Sequence, residues 1–252
     1  DNMSGHSKWA QIKRQKGVAD SRRGAMFTKL TREIIVATRQ GGPNPEGNFR
    51  LRLAIQKARE SNMPKDNIES AVKKGSGAAE GAALQEITLE GYGPAGVAVM
   101  LEALSDNRNR TVQEVRSTFS RYNGSLGETG CVSWIFENQG VITIDTSGID
   151  ADELSLYAID AGATDVKVEK GLLEIYTDPH DFEIVKQAIE KRKKSISAEV
   201  TMIPKNIVTL AEKEALSTVK LLEKLEELDD VQRVFSNLDY NDALIEKLKT
   251  EA

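Results

Sequence analysis

Few of the side chains that perform enzyme chemistry stand in a working arrangement in this sequence. His6 and His180 are the only histidines, and neither has a nearby cysteine or a His-x-x-x-His partner, so no metal site is expected. Cys131, the single cysteine, cannot form an internal disulfide, which fits a reducing compartment. The 39 acidic residues could supply a convergent pair for acid–base work, yet no spacing marks one. With no common catalytic motif in its required context, the expectation is a protein that is not an enzyme and takes no cofactor, metal or small-molecule substrate.

Three loops look suited to anions. Gly91-Tyr92-Gly93-Pro94-Ala95-Gly96 matches G-x-G-x-x-G, but the dinucleotide fingerprint needs its last glycine to enter a helix, and the residues after Gly96 read as a strand. A hairpin turn is the better reading. Gly124 to Gly130 lacks the Gly-Lys-Ser/Thr of a phosphate cradle and is read first as tight turns, with close approach to a polynucleotide as the functional alternative. In Asp106-Asn107-Arg108-Asn109-Arg110-Thr111, Asn or Asp caps a following helix and leaves Arg108 and Arg110 at its N-terminus, where they either hold a phosphate or pair with a carboxylate such as Asp106.

The elements that position these residues fall into two regimes. Residues 19–39, 48–62 and 64–74 carry apolar residues at helical spacing. Phe27, Leu30 and Ile34 share one face of the first, and Arg22, Lys29, Arg32 and Arg39 another. Gly41-Gly42-Pro43 should end the first helix and Gly75 the third. A Gly/Ala/Ser-rich stretch at 75–83 reads as a linker. Beyond it, residues 86–92, 97–104 and 131–136 read as strands and 110–122 as a helix. Residues 141–203 read in the order β-α-β-β-α-β, the ferredoxin-like split unit, with its hairpin turning at Lys170-Gly171. A strand at 205–210, a helix at 211–228 and a strand at 231–235 lack partners of their own, so they should complete the sheet begun after the linker. The expected fold is α+β in three domains: a basic helical domain at 3–80, a discontinuous α+β domain at 84–137 plus 205–240, and an inserted ferredoxin-like domain at 138–204. Asp1 and Asn2 precede Met3 and are set aside.

Charge distinguishes these parts. The net charge of −5 conceals 16 basic against 8 acidic residues in positions 1–80, and 18 against 31 in the rest. A +8 head is the electrostatic footprint of a segment that meets phosphate. Trp9, among Ser7, Lys8, Lys13, Arg14 and Lys16, either stacks on a base or anchors an arm to its own domain, anchoring being the commoner fate. The cluster Glu226, Glu227, Asp229 and Asp230 reads as a solvated run. No apolar run is long enough to span a bilayer and none follows the basic N-terminus as a signal would, so a cytoplasmic protein without a membrane partner is expected.

Several motifs in order resemble the YebC-like family of probable transcriptional regulators, which includes a mitochondrial translational activator of cytochrome c oxidase. They are Gly5-His6-Ser7-Lys8-Trp9-Ala10; the run from Arg50-Leu51-Arg52 to Asn62-Met63-Pro64-Lys65-Asp66-Asn67-Ile68; Glu90 to Pro94; Ser105 to Val112; and Gly124 to Gly130 with Trp134 and Phe136. Ala95 departs where the family tends to have glycine, and Phe49 where proline is usual. The resemblance implies a helical N-terminal domain and two α+β domains, one inserted in the other. It also implies nucleic-acid association, as DNA binding in transcription regulation or, for some members, as a ribosome-bound, RNA-binding role in translating difficult sequences such as proline runs. The residues expected to contact nucleic acid are Lys8, Trp9, Lys13, Arg14, Lys16, Arg22, Arg23, Lys29, Arg32, Arg50 and Arg52, with Arg108 and Arg110 as a second anchor. Such contacts position a protein without reading sequence.

Overall fold

The computed structural model describes residues 5, 7–10, 20–77 and 83–250, with side chains of the first long helix described from Arg23 onward. The chain forms two compact units, one of Gly17–Thr129 and Ser217–Val234, the other of Asp1–Lys16, Gly130–Leu216 and Phe235–Ala252.

The first unit opens with three helices, α1 (Asp20–Gly41), α2 (Phe49–Glu60) and α3 (Lys65–Ser76). Their apolar faces meet in a core of Leu30, Ile34, Ala37, Leu51, Ala54, Ile55, Ala58, Met63, Ile68 and Ala71. Asn48 joins α1 to α2. Its side-chain oxygen accepts from the Leu51 amide at 3.0 Å, and its side-chain nitrogen donates to the carbonyls of Ala37 and Gly42 at 2.8 and 2.9 Å, so one buried amide caps two helix ends. Gly75 does not stop α3 as the sequence suggested. It lies where α3 crosses α1, and a methyl group there would sit 2.6 Å from Thr38 Cβ and 2.7 Å from the Ile35 carbonyl, so glycine is required for close approach.

The first sheet has the order β3-β1-β2-β8, built from β1 (Gln85–Tyr92), β2 (Ala98–Ser105), β3 (Ser125–Leu126) and β8 (Val231–Ser236). β1 runs antiparallel to β2, with Leu89 opposite Leu101, and to β3. Helix α4 (Arg108–Arg121) follows β2 and buries Val115 and Phe119 completely. The literal G-x-G-x-x-G is the β1–β2 turn: a 3-10 turn at Pro94–Gly96, with Ala95 at φ 54° and Gly96 at φ 79°. Ala95 therefore holds a left-handed conformation that glycine adopts without steric penalty.

The second unit carries the ferredoxin-like arrangement. Its sheet order is β5-β6-β4-β7, from β4 (Phe136–Asp145), β5 (Asp165–Glu169), β6 (Leu172–Thr177) and β7 (Ser197–Pro204), with every neighbouring pair antiparallel. Helices α5 (Ala151–Asp160) and α6 (Phe182–Glu190) provide the crossovers. Strand alternation puts Ile142, Ile144, Leu173 and Ile175 on one face and Val141, Thr143, Glu174 and Tyr176 on the other. Helix α7 (Glu212–Glu227) precedes β8, and α8 (Asp242–Thr250), which the sequence reading did not include, follows it.

Two expected strands are absent. Residues 131–136 enter a 3-10 turn at Ser133–Ile135, closed by the Ile135 amide on the Val132 carbonyl at 2.9 Å, and only Phe136 begins β4. Residues 205–210 contribute one isolated parallel bridge, Val208 to Leu238, because Val208 bonds the backbone at Asn237 and Asp239 and its neighbours pair no further.

Candidate nucleic-acid interface

The N-terminal arm is anchored to its own unit. Residues 7–10 are helical. Ser7 shares a 2.8 Å hydrogen bond with Thr143, on the sheet face opposite the Ile142 side, and the Lys8 ammonium bonds Glu169 at 3.0 Å. Trp9 stacks on Tyr240 with ring centroids 5.5 Å apart and is buried. Of the two fates weighed for Trp9, the structure shows the anchor. Lys13, Arg14 and Lys16 lie outside the described residues, as does the side chain of Arg22, whose backbone is part of α1.

Most of the remaining expected cations have partners inside the first unit. Lys29 donates to the Glu226 carbonyl, and Arg32 donates to the Asp229 carbonyl at 3.2 Å and the Asp230 carboxylate at 3.0 Å. Arg50 holds Glu33 through two nitrogens at 2.8 and 3.2 Å, Gln40 at 2.7 Å, and Glu86 on β1. Burial alone would lower the pKa of this guanidinium, but Glu33 and Glu86 more than compensate and raise it. Arg52 donates to the carbonyls of Pro45 and Glu46 and lies 5.5 Å over the Phe49 ring. Phe49 is the first residue of α2, a position where proline is also well accommodated.

The Asp106–Thr111 loop is organised around a residue that sequence reasoning left in a solvated acidic run. Asp230 is 3% exposed, and its carboxylate accepts from Arg32 at 3.0 Å, Arg110 at 2.8 Å, Thr111 at 2.7 Å and Ser105 at 3.3 Å. Burial alone would raise its pKa, but hydrogen bonds from Arg110, Thr111 and Arg32 outweigh this and hold it below the ordinary carboxylate value. Arg110 also pairs with Asp106 at 2.7 Å, and these two carboxylates raise its own pKa. An internal carboxylate thus takes the place proposed for a phosphate at Arg110. The readable signal was charge complementarity, since α1 is basic on one face and residues 226–230 are acidic.

Arg23 and Arg108, among the expected contacts, are exposed and bear no hydrogen bond or ion pair among the described residues. The same holds for cations not singled out beforehand: Arg39 on α1, Arg59 on α2, Lys73 and Lys74 on α3, and Arg116 and Arg121 on α4. Arg59, Lys65 and Lys73 rim a groove of about 500 Å³ floored by Ile55, Met63, Ile68 and Val72. No cluster of three His, Cys, Asp or Glu positioned to hold a metal occurs among the described residues.

Comparison with known proteins places these features in a lineage. A family model described as the TACO1/YebC protein N-terminal domain matches residues 7–78, and one described as the TACO1/YebC second and third domain matches residues 84–238. The chain belongs to the TACO1/YebC family. A probable transcriptional regulatory protein of Dehalococcoides mccartyi is 60% identical over 251 residues, covering 99% of this chain and all of that protein. A probable transcriptional regulatory protein of Natranaerobius thermophilus is 52% identical over 248 residues, covering 97% and 99% respectively. The crystal structure of a conserved hypothetical protein from Aquifex aeolicus superposes with a TM-score of 0.77 at 48% identity, covering 87% of this chain and 91% of that one. The TACO1/YebC chain is thus α+β with a helical N-terminal region and two sheets, and no helix among its described residues is long and apolar enough to cross a membrane.

Proposed function

We propose that this protein is a nucleic-acid-binding regulator of gene expression that grips phosphates through the basic surface of its helical bundle. The observation that carries the reading is the set of exposed cations with no intramolecular partner among the described residues: Arg23, Arg39, Arg59, Lys73 and Lys74. A polyanion engages these without first breaking an ion pair, whereas Arg32, Arg50 and Arg110 would have to leave carboxylates. Contacts of this kind release counterions and fix position rather than read sequence. The relatives are named probable transcriptional regulatory proteins, which supports a role in transcription, with DNA as the polyanion engaged.

A second reading, a translation factor on ribosomal RNA, draws support from the spread of these cations over three helices rather than along one reading helix. Co-sedimentation with ribosomes at physiological salt, with genomic and random DNA as competitors, separates the two. Retention despite excess DNA makes the protein a translation factor, and selective loss to genomic fragments makes it a transcription regulator. Reversing Arg59, Lys73 and Lys74 to Glu should lower affinity and flatten the salt slope on duplex by about 2.7. An unchanged slope in the folded variant refutes the grip.

A further inference from the structure

We propose that Trp134 is a stacking platform for an unpaired nucleobase of a single-stranded polynucleotide, an inference that rests on the nucleic-acid reading above. Trp134 is 66% exposed, while Trp9, the other tryptophan, is 9% exposed and stacked. The exposed indole is held in place. It sits in the 3-10 turn Ser133–Ile135, and its ring N–H donates to the Cys131 carbonyl at 3.1 Å. Lys205 clamps the same turn from β7's end: its amide donates to the Ile135 carbonyl at 2.8 Å and its ammonium to the Trp134 carbonyl at 3.2 Å.

This geometry selects among partners. With the ring N–H already bonded, the indole offers a partner its π-face and no polar edge. Stacking uses that face and tolerates any base. A cation beside the platform suits the phosphate of the stacked nucleotide, and Lys205 supplies it. The flanking residues Ser133 and Lys205 are exposed and polar, whereas a protein-binding hot spot is ringed by contacts that exclude water. The rigid turn means little ordering entropy is lost when a base arrives. Trp134 and Phe136 belong to the motifs that resemble the family, yet Phe136 is buried in the fold and Trp134 is not.

The test titrates the full chain with short oligo-uridine and oligo-thymidine, following tryptophan emission and, separately, anisotropy of a labelled oligonucleotide. Stacking should quench Trp134 emission, and Trp134→Phe should abolish the quench because Trp9 is buried. Trp134→Ala should weaken binding about five- to 150-fold, and Trp134→Phe, which keeps a π-face, should lose less. Preference between the two oligonucleotides identifies RNA or DNA as the source of the base. Trp134→Ala binding both within about twofold of the unsubstituted protein, while the Arg59, Lys73 and Lys74 reversal abolishes binding, overturns the platform and leaves the phosphate grip standing. Binding to ribosomes or duplex but not to either single strand also overturns it alone. Binding to none of these overturns both. Ribosome binding that survives nuclease and is lost in Trp134→Ala replaces the base with a protein partner.

Discussion

Removing the Asp230 carboxylate tests whether the acidic turn holds the basic helix and the Asp106–Thr111 loop together. Asp230→Ala deletes the acceptor for Arg32, Arg110, Thr111 and Ser105. None of the four donors is stranded. Thr111 and Ser105 remain bonded to each other at 2.6 Å, Arg110 keeps Asp106, and Arg32 keeps the Asp229 carbonyl. The penalty of about 3–5 kcal/mol for abandoning one member of a fully buried ion pair is therefore not incurred. The guanidinium groups reach solvent, with side chains 27% and 44% exposed, which weakens the pairing further. What remains is the net worth of charge-assisted hydrogen bonds to a buried acceptor, about 2–3 kcal/mol in total. A loss of that size lowers the melting temperature by roughly 4–12 °C. Thermal and urea unfolding followed by circular dichroism measures it. Asp230→Asn should fall between, because an amide keeps one acceptor but turns N–H groups toward donors. The folded pKa lies below the unfolded value of about 3.9, so this stabilisation is present above that pH and lost as pH falls through the folded value. The gap between the two proteins should be full at neutral pH and narrow below about pH 4. A variant within about 0.5 kcal/mol of the unsubstituted protein at neutral pH would falsify the role given to this carboxylate.

Gly75→Ala gains about 1 kcal/mol in helix propensity but forces α1 and α3 apart, so a net loss of about 1–2 kcal/mol is expected by urea unfolding, and a gain in stability would refute the close crossing. Trp9→Ala removes the stack on Tyr240 and should destabilise the second unit by about 3 kcal/mol, and resistance of the arm to limited proteolysis in the variant would show that the anchor is dispensable. Ala95→Gly relieves a left-handed alanine and should raise stability by about 0.5–1 kcal/mol in thermal unfolding; a decrease contradicts the turn geometry. Phe49→Pro should stay within about 1 kcal/mol of the unsubstituted protein by the same measurement, losing a half-buried ring and its Arg52 contact while the helix start is kept, and a larger loss would mean that the amide of Phe49 is needed.

Periodicity carried much of the fold. The helical stripes from residue 23 to 74 bury one face of their helices, and burial of one face is what a local pattern records, whereas residues 140–144 of β4 and 173–177 of β6 are buried on both faces. Readings failed where a segment's partner lay far along the chain. Nothing local tells residues 131–136 that Lys205 will clamp them in a turn, or Gly75 that a second helix passes close enough to forbid a side chain. The candidate site was less legible for the same reason. A basic stripe looks the same whether it faces phosphate or carboxylate, and only the folded chain brings residues 226–230 to Lys29 and Arg32. Trp134 was noticed as part of a motif, but its exposure depends on which way a 3-10 turn faces.

The order of strands in the first sheet also sets a schedule for synthesis. β2 ends at Ser105 and its neighbour β8 starts at Val231, whereas all four strands of the other sheet fall between Phe136 and Pro204. At roughly 5–20 residues per second, a ribosome needs on the order of ten seconds to travel from one strand to the other. Through that interval the β2 edge lacks β8 and Arg32 and Arg110 lack Asp230, while the ferredoxin-like sheet receives its last strand, β7, before β8 is made. The nascent chain thus carries Lys29 and Arg32 without their partners in the 226–230 turn until that turn has been made.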